Sequence, residues 1–570
     1  MKNYKTLKKL APKQTEIQNN FYVFDTETKG LDARPESFVF GVIYGHNFVK
    51  IIDTVEKFKK ELTSERYKGK YIFAHNVEYD LLTIYGNIFN LDNKAIFNNH
   101  FITCTNGNCK FADSMNIFHT SVKELGRMIG LEKLEVDYDF KNGYGNKEIE
   151  YCVRDCEIVF NSLFYIFNLI GNIKITISSI AMDYFRRNFQ LKNINYNDIL
   201  CNEFFNSYYG GRVECFKLGK INNGYCYDIN SMYPYVMLKD FPNPEKLSYA
   251  ENINVSIFEK HYLKNYEGLI YCELFHVEHF FGFLPFRFNK KLCFPNGNLK
   301  GCWNFNEIRF ALKNKIIKIK SIEKIVFSEK IKSPFTSFVF KEYEKKNNTE
   351  GIERDVHKRI MNSLYGKFGQ KIKNSIIYID DILKNKELIE NYEKKGKLIN
   401  IRMFNSKRND CYIEVKNNKE IYTNNSIPSF ASYITSYARI ELLAYILKYK
   451  DFNPLYCDTD SIFFEFDPQI KDSNLIGKFK KEKKLITGIY GLKNYSFVEN
   501  NIEKYKIKGI PENAIKKNNQ YTFKNMVHSK ESIARNIESG IFVERKKTIS
   551  GKYEKRIILK KGITKALFIK

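Results

Sequence analysis

Two short runs put paired carboxylates inside sequence otherwise suited to a strand, and that placement constrains the fold more than any other feature. In "LYCDTDSIFFEF", Asp458 and Asp460 stand among Tyr456, Cys457, Ile462, Phe463 and Phe464. In "YVFDTET", Asp25 and Glu27 are spaced in the same way. Side chains repeat with period two along a strand, so each pair projects to one face; in a tight hairpin turn, Asp458 and Asp460 would still crowd one rim. Like charges held so close repel unless a cation neutralises them. Mg2+, a hard ion satisfied by one or two carboxylates plus phosphate oxygens, is the natural occupant, and the apolar flanks of Asp458 and Asp460 argue for a cleft rather than an exposed bulge.

Overall charge points to a polyanionic partner. Lys+Arg 92 against Asp+Glu 65 give a net charge of +27, which favours nucleic acid first and an anionic membrane second. The 570 residues, 43% hydrophobic and 15% aromatic, suffice for several cored domains. The basic N-terminus "MKNYKTLKKLAPKQTEIQNN" has no apolar h-region and no stretch approaches a membrane span, so an intracellular protein with no membrane partner is expected. The 12 Cys lack repeated CxxC spacing, which predicts buried thiols rather than disulfides or a zinc ribbon. Cys104 and Cys109 flank an Asn-Gly turn and would face each other across a ladder as free thiols. Cys152 and Cys156 lie one helical turn apart without a second ligand pair, which argues against zinc.

The chain has no internal repeat and no long low-complexity linker. Strand-like runs "NNFYVFDTET", "SFVFGVIYGHNFVKIID" and "KYIFAH" alternate with helical patterns "SVKELGRMIGLEKL" and "EIEYCVRDCEIVFNSLFYIF", predicting an α/β domain that ends near residue 190. A second α/β region opens after "YYGGR", where paired glycines let a linker turn or backbone approach a ligand. Aromatic strand-like runs fill about 240 to 340, helix follows to about Phe368, and a polar Lys/Asn-rich segment runs to about Asn425. Basic strands follow Glu499, and "GIFVERKKTISGKYEKRIILKKG" reads as a charged hairpin around a Ser-Gly turn.

A partner for the Asp458 pair stands in "GYCYDINSMYPYVM". Asp228 ends an alternating strand, Ser231 is placed to cap a helix, and Pro234 fits its first turn. A strand-end carboxylate facing a helix N-terminus suits metal and phosphate together. Ions held by Asp228 and Asp460 would activate a hydroxyl and stabilise a pyrophosphate leaving group, with Asp458 shaping the same field. The cationic complement lies in "KKNNTEGIERDVHKRIMNSLYGKFGQ", where a helix from about 350 to 366 puts Arg354, Lys358, Asn362 and Tyr365 on one face at 4, 4, 3 spacing. That stripe suits a triphosphate on Lys358 with Tyr365 against a base pair, and Lys346 precedes the helix within reach of the same phosphates. Near the N-terminus, "AHNVEYD" sets Asn76 one helical turn from Asp80, and "EYCVRDCE" sets Tyr151 one turn from Asp155.

The segments "DINSMYP", "KRIMNSLYG" and "YCDTDS" resemble motifs A, B and C of the family B DNA polymerases, in the family's order. "YYGGR" resembles the YxGG element, with Tyr208, Gly210 and Gly211 toward DNA, and "GLKNY" the KxY motif near the primer terminus, with Lys493 and Tyr495. The resemblance implies that Asp228, Asp458 and Asp460 are catalytic and hold metal with the Ile229 backbone carbonyl. It implies too that Tyr233, Lys346, Lys358, Asn362 and Tyr365 bind the dNTP, Tyr233 packing beneath the sugar to exclude a ribose 2'-hydroxyl. Asp25, Glu27, Asp80, Tyr151 and Asp155 resemble the three motifs of the 3'-5' exonuclease that accompanies these polymerases. By that likeness Asp25, Glu27 and Asp155 hold ions, Asp80 assists, and Tyr151 orients the attacking water, while Asn76, Tyr79 and Ser114, followed by Met115, contact the single-stranded primer end. Lys133, in "KLEV", matches an auxiliary lysine motif, and Asp137 would add a metal-binding carboxylate. Mg2+, replaceable by Mn2+, is implied as two ions per active site.

The likeness is greatest to the protein-primed subgroup of bacteriophages and linear plasmids. The chain is expected to lack the long N-terminal domain of RNA-primed members. About 125 residues between Tyr233 and Lys358, and roughly 95 between Asn362 and Asp458, leave room for two subgroup-specific insertions. The implied fold is α/β and multi-domain: an RNase H-like 3'-5' exonuclease domain, then a right-hand polymerase of palm, fingers and thumb. Expected boundaries are 1–190 exonuclease, 191–240 palm with YxGG and motif A, and 241–340 first terminal-protein-region insertion and palm. Then come 341–370 fingers, 371–425 second insertion, 426–498 palm with motif C and KxY, and 499–570 thumb. The second insertion looks longer than the most compact members need.

The implied function is replication of a viral or linear-plasmid genome by protein-primed initiation and strand displacement, with proofreading. Template and primer DNA, dNTPs and a terminal protein are the implied partners. The enzyme would be a monomer, forming a heterodimer with the terminal protein at initiation, in the host cytoplasm if phage-encoded. An idle basic DNA-binding module would have no reason to keep Asp228, Asp458, Asp460, Asp25, Glu27 and Asp155 near a phosphate backbone. A pure nuclease would leave the Lys358 stripe unused. An oligonucleotide-primed family B repair or replication polymerase is the remaining alternative.

Overall fold

The computed structural model describes residues 4–12, 17–88, 91–97, 100–107, 109–136, 140, 143–371, 375–379, 382–405, 410–415, 423, 425–517, 520–535, 537–548 and 553–570. The N-terminal apolar runs form a seven-stranded mixed sheet in the order Phe48–Ile52, Phe38–Gly45, Phe21–Thr28, Tyr71–Ala74, Cys109–Asp113, His100–Asn106, Asp92–Phe97. Its three central strands from Phe21–Thr28 to Cys109–Asp113 are parallel, which requires cover on both faces. The period-two pattern supplies it: Phe21 and Val23 enter one core and Tyr22 and Phe24 another. Helix Asn146–Ile170 covers the first face, and its Phe160 stacks on Phe21 with ring centroids 4.6 Å apart. Glu148 starts that helix by accepting the Gly145 N–H at 2.7 Å, and Gly171 at φ +62° closes it.

The second sheet is antiparallel and also seven-stranded, in the order Val213–Cys215, Pro454–Asp458, Ser461–Phe464, Gly219–Ile229, Phe479–Gly491, Asn494–Glu499, Ile502–Ile507. Helix Pro428–Lys448 backs it, with Tyr445 on Phe479 at 4.5 Å. Helices Thr336–Asn348 and Gly351–Phe368 pack together beside it. Helix Ile177–Asn188 joins that pair through Phe185 against Phe335 and Phe338, at 5.5 and 5.8 Å. The break expected near residue 190 therefore falls after a helix whose aromatic face belongs to the later part of the chain. Likewise, the break expected at 499 cuts the second sheet. Asn500 and Asn501 both take positive φ, the backbone of a tight hairpin, and pair Ile502–Ile507 with the preceding strand.

Two further sheets are built mainly from the intervals between the motifs. One has five strands, Ser248–Glu251, Ile317–Ser328, Glu267–His276, Asn296–Asn304 and Phe568–Ile569, the last running parallel to its neighbour. The other has three, Ser375–Ile379, Asp410–Val415 and Leu398–Asn405, with helix Lys386–Lys394 over a small core of Ile389, Cys411, Ile413 and Val415. Near the C-terminus, Phe542–Thr548 pairs with Gln520–Met526, and Arg556–Ile558 pairs with Thr564–Ala566. Among the described residues Phe542–Thr548 and Arg556–Ile558, the two arms of the expected charged hairpin, pair elsewhere rather than with each other, and the Ser-Gly turn expected between them lies outside the described residues. Met526 and Phe542 pack together in the N-terminal core and Arg556 is drawn to Glu214, while residues 549–552 lie outside the described residues. All 12 cysteines are buried free thiols; Cys104 pairs with Phe111 and Cys109 with Asn106, so the two do not face each other directly. No helix among the described residues is long and apolar enough to cross a membrane.

Candidate active sites

In the second sheet, Asp228 is the penultimate residue of Gly219–Ile229 and pairs with Ser461. Asp458 ends its strand and Asp460 precedes the next, so the pair occupies a hairpin turn rather than a continuous strand. Three backbone bonds fix the turn. Thr459 N–H donates to the Arg212 carbonyl at 2.8 Å, Asp460 N–H to the Asp458 carbonyl at 2.7 Å, and Ile229 N–H to the Asp460 carbonyl at 2.7 Å. Gly211 makes room for it: a Cβ there would lie 3.0 Å from Thr459 Cγ2 and 3.1 Å from the Tyr233 hydroxyl oxygen.

The three carboxylates line a cavity of about 500 Å³ together with Glu482, Lys484 and Lys493. Burial, with the charges of Asp460 and Glu482, pushes Asp228 up to about 7. Burial, with the charge of Asp458, pushes Asp460 up to about 6. Asp458 accepts from the Tyr456 hydroxyl at 3.2 Å and lies 3.5 Å from Lys493 Nζ. Asp228 and Asp460, which hold protons toward neutrality through burial first and neighbouring negative charge second, form with Asp458 a donor set that a divalent cation fits. Tyr495, beside Lys493, is buried against Phe463 at 5.1 Å.

Beside this cavity stands a cationic and aromatic wall. Helix Met232–Val236 has five residues, with Pro234 inside its first turn. Ser231 precedes it at φ +51° and makes no side-chain bond to it; its expected capping role is replaced by a contact with Lys346. Lys346 Nζ donates to Asn230 Oδ1 and Ser231 Oγ, both at 3.2 Å. Burial, then the charges of Arg354, Lys358 and Lys480, bring Lys346 down to about 8. An ammonium lowered by desolvation and by neighbouring cations favours an anion beside it. Arg354, Lys358 and Asn362 share the exposed side of Gly351–Phe368, and Tyr365 on the same helix stacks on Tyr233 at 4.3 Å and 7°. Tyr208 and Gly210 line a larger cavity of about 1410 Å³ with Phe205, Arg287, Lys367 and Lys371.

The N-terminal site is built on different elements. Asp25 and Glu27 lie within strand Phe21–Thr28, Asp80 on helix Val77–Tyr85, and Tyr151 and Asp155 on helix Asn146–Ile170. Asp80 accepts from Thr26 N–H at 3.0 Å and from the Thr26 hydroxyl at 2.7 Å. Burial, then the charges of Asp80, Glu27 and Asp155, pushes Asp25 well above the usual carboxylate range. Burial and Asp155 bring Glu27 to about 7, and burial raises Asp80 to about 8. Lys133 forms an ion pair with Asp155 and lies 4.3 Å from the centre of the Tyr151 ring. Donor atoms of Asp25, Glu27 and Cys152 lie within 4.8 Å of one another, and Asp155 Oδ1 is buried without a hydrogen-bond partner. The carboxylates fit a divalent cation; burial pushes the Cys152 thiol well up, so it stays protonated beside them.

Asn76 takes a left-handed φ of +76° just ahead of its helix, held by its N–H bond to Asp113 at 3.0 Å. Tyr79 bonds its hydroxyl to that of Thr28 at 2.5 Å, and Ser114 bonds to His75 at 2.9 Å, while Met115 N–H donates to Asp113 at 2.9 Å. Asp137 lies outside the described residues. Four residues with evident roles escaped sequence reasoning. Glu482 and Lys484 alternate with Lys480 along strand Phe479–Gly491, a period-two signal hidden in a Lys-rich run. Asp113 left a weaker one, as the last carboxylate of an apolar strand. Arg439, buried on helix Pro428–Lys448, pairs with Glu307 at 2.8 Å and donates to the Tyr209 and Gly210 carbonyls at 2.7 and 3.0 Å. No local pattern marks it.

A family model described as DNA polymerase type B, organellar and viral, matches residues 143–452. A probable DNA polymerase of Podospora anserina is 31% identical over 371 residues, covering 59% of this chain and 29% of that protein. The DNA-directed DNA polymerase of Enterobacteria phage PRD1 is 25% identical over 478 residues, covering 79% of this chain and 77% of that protein. The chain spans 29% and 32% of the lengths of the Podospora anserina protein and of a probable DNA polymerase of Neurospora intermedia. Among solved structures, Phi29 DNA polymerase with primer-template DNA and incoming nucleotide substrates is 16% identical. It covers 93% of this chain and 100% of its own, with a TM-score of 0.67. Phi29 DNA polymerase with single-stranded DNA covers 86% of this chain and 92% of its own, at 16% identity and a TM-score of 0.63. The multi-domain α/β fold is therefore that of the Phi29 polymerase.

Proposed function

Because the chain belongs to the type B DNA polymerases of organelles and viruses, we propose that it is a DNA-directed DNA polymerase with a 3'-5' proofreading exonuclease, replicating a viral or linear-plasmid genome from a protein primer. The observation that carries the reading is the convergence of Asp228, Asp458 and Asp460 on one cavity beside Lys346 and the stacked Tyr233 and Tyr365. Asp228 and Asp460 with Asp458 in support, and Asp25, Glu27 and Asp155 at the second site, would hold Mg2+ or Mn2+, which would supply the charge that acidifies a hydroxyl or water and stabilises the leaving group. Lys346 and Lys358 bind the triphosphate. Tyr233 lies flat on Tyr365 beneath the sugar, where a ribose 2'-hydroxyl would have no space, and Asn362 borders the base. Lys493 holds a primer phosphate.

Single-stranded template takes the larger cavity, where Phe205 and Tyr208 offer rings to bases and Arg287, Lys367 and Lys371 offer charge to phosphates. At the second site, Tyr151 orients the attacking water, Lys133 pairs with Asp155 and opposes the burial that raises its carboxyl, and Asn76, Tyr79 and Ser114 bind the frayed primer end. The five-stranded sheet, four of whose strands lie between Tyr233 and Lys346, docks a terminal protein whose hydroxyl is the primer, and the three-stranded sheet, between Tyr365 and Asp458, encloses DNA. The enzyme works as a monomer inside the host cell and pairs with the terminal protein at initiation.

A primed template with Mg2+ and dNTPs tests the reading. Wild type extends the primer, and Asp458→Ala abolishes extension while still degrading single strands. A wild type that degrades single strands and makes no DNA refutes the polymerase reading. For priming, a candidate terminal protein accepts a covalently linked nucleotide; failure with every candidate, alongside extension of oligonucleotides, favours oligonucleotide priming.

A further inference from the structure

Behind the catalytic turn lies a buried charge triad that no role above uses. Arg212, Glu214 and Arg556 are 1%, 0% and 2% exposed. Arg212 Nε donates to Glu214 Oε2 at 2.7 Å, and Arg556 Nη1 to Glu214 Oε1 at 3.2 Å. Other guanidinium donors reach the Gly282 carbonyl at 2.8 Å, the Phe280 carbonyl at 2.7 Å and the Thr564 hydroxyl at 2.8 Å. Burial works against the Glu214 charge, but the two arginines outweigh it and hold the carboxyl below its ordinary range. Such a triad is a weak source of stability, because desolvation offsets the attraction; a role in fixing one arrangement accounts for it better.

The arrangement it fixes is the catalytic turn. Val213 pairs with Asp458 and Glu214 with Cys457, and the Arg212 carbonyl accepts the Thr459 N–H at 2.8 Å. Thr459 has φ +63°, an uncommon conformation for a β-branched residue, and such strain persists only where surrounding structure over-determines it. The C-terminal segment completes the clamp. Cys215 N–H donates to the Tyr553 hydroxyl at 2.9 Å, and the Thr564 hydroxyl donates to the Cys215 carbonyl at 2.6 Å.

Resting on the polymerase reading, we propose that Arg212, Glu214 and Arg556 are positioning residues for nucleotide transfer. They lock the strand whose Arg212 carbonyl holds Thr459 in its strained turn, and so set Asp458 and Asp460 toward Asp228. The C-terminal segment thereby governs the chemistry without touching substrate.

Single-turnover incorporation on a primed template, measured below each variant's unfolding midpoint, tests this. Glu214→Gln lowers the maximal rate about 30-fold and leaves the KM for dNTP unchanged, as expected when strain is no longer held in check. Arg556→Lys keeps the charge but loses the planar fork, and lowers the rate about fivefold. A double-mutant cycle decides the mechanism. Glycine adopts positive φ without strain, so in a Thr459→Gly background Glu214→Gln costs no more than about threefold. Equal losses in both backgrounds, or wild-type rates for Glu214→Gln and Arg556→Lys, overturn the inference and leave the polymerase reading standing. A wild type that does not extend primers overturns both.

Discussion

In the second sheet, Asp458 and Asp460 hang from a hairpin turn and meet Asp228 across a cavity shared with Lys484 and Lys493. In the N-terminal sheet, Asp25 and Glu27 sit within a strand and meet Asp80 and Asp155 from two helices, with Lys133 as the neighbouring cation. Of the first set, Asp460 and Asp228 hold protons to about 6 and 7. The second is more enclosed: Glu27 reaches about 7, Asp80 about 8, and Asp25 lies well above its ordinary range. Similar ligand types on two scaffolds thus differ in how strongly burial resists their ionisation. The more enclosed site depends more on pH and on a cation to become charged.

The strongest test of this separation removes one carboxylate from each site. Asp460→Ala should lower primer extension about a thousandfold, roughly 4 kcal/mol of transition-state stabilisation, with single-strand degradation intact. Asp25→Ala should do the reverse. Loss of both activities in either variant would mean that the sites are not independent. A smaller effect concerns pH. Carboxyls raised in the folded state bind protons that the unfolded chain has released, so their contribution to stability is complete below about pH 4 and is lost as pH rises through the folded values. In EDTA, unfolding free energy should fall between pH 5 and 8 by up to about 1.4 kcal/mol per pH unit for each titrating group. Thermal melts of Asp80→Asn should show a shallower fall than those of Asp228→Asn, because the larger rise belongs to the N-terminal site. Mg2+ should flatten the dependence by stabilising the ionised carboxylates. A slope that survives Mg2+ would place the titrating groups elsewhere.

What the sequence revealed and concealed follows from the range of each interaction. Period two put Asp25 beside Glu27, and helical spacing put Arg354, Lys358 and Asn362 on one exposed side of Gly351–Phe368, because each pattern is a property of neighbours on one element. Whether Asp458 and Asp460 occupied a strand or a turn was left open. The choice is made by Thr459 at φ +63° and by the Arg212 carbonyl on an edge strand far away in sequence. Glu482 was hidden because alternating charge in a Lys-rich strand looks solvated until that strand is paired beside Asp228. Packing between distant helices was hidden for a related reason: Phe185 is apolar in any reading, but only the fold shows that its partners are Phe335 and Phe338. Long-range pairing, rather than composition, carried the missing information.

The smallest expected effect asks how local each site is. Glu78 lies between Asn76 and Asp80 and is 3% exposed, yet its partners come from the last part of the chain. Its Oε1 accepts the Ser529 N–H at 2.7 Å and its Oε2 lies 2.8 Å from His528 Nδ1. Ala33 N–H donates to the Gly540 carbonyl at 2.9 Å, and Met526 and Phe542 pack into the same core. Both acidic sites are therefore braced by C-terminal chain, the N-terminal one through Glu78 and the second through Glu214. Glu78→Gln keeps the shape and an acceptor for Ser529 but gives up a charge-assisted bond, worth about 1 kcal/mol. Single-strand degradation should fall about fivefold, since the helix carrying Asp80 loses part of its support, while primer extension stays at the wild-type rate. Equal falls in both activities would show that the brace supports the whole molecule, and the contrast between the two sites would then lie in their carboxylates alone.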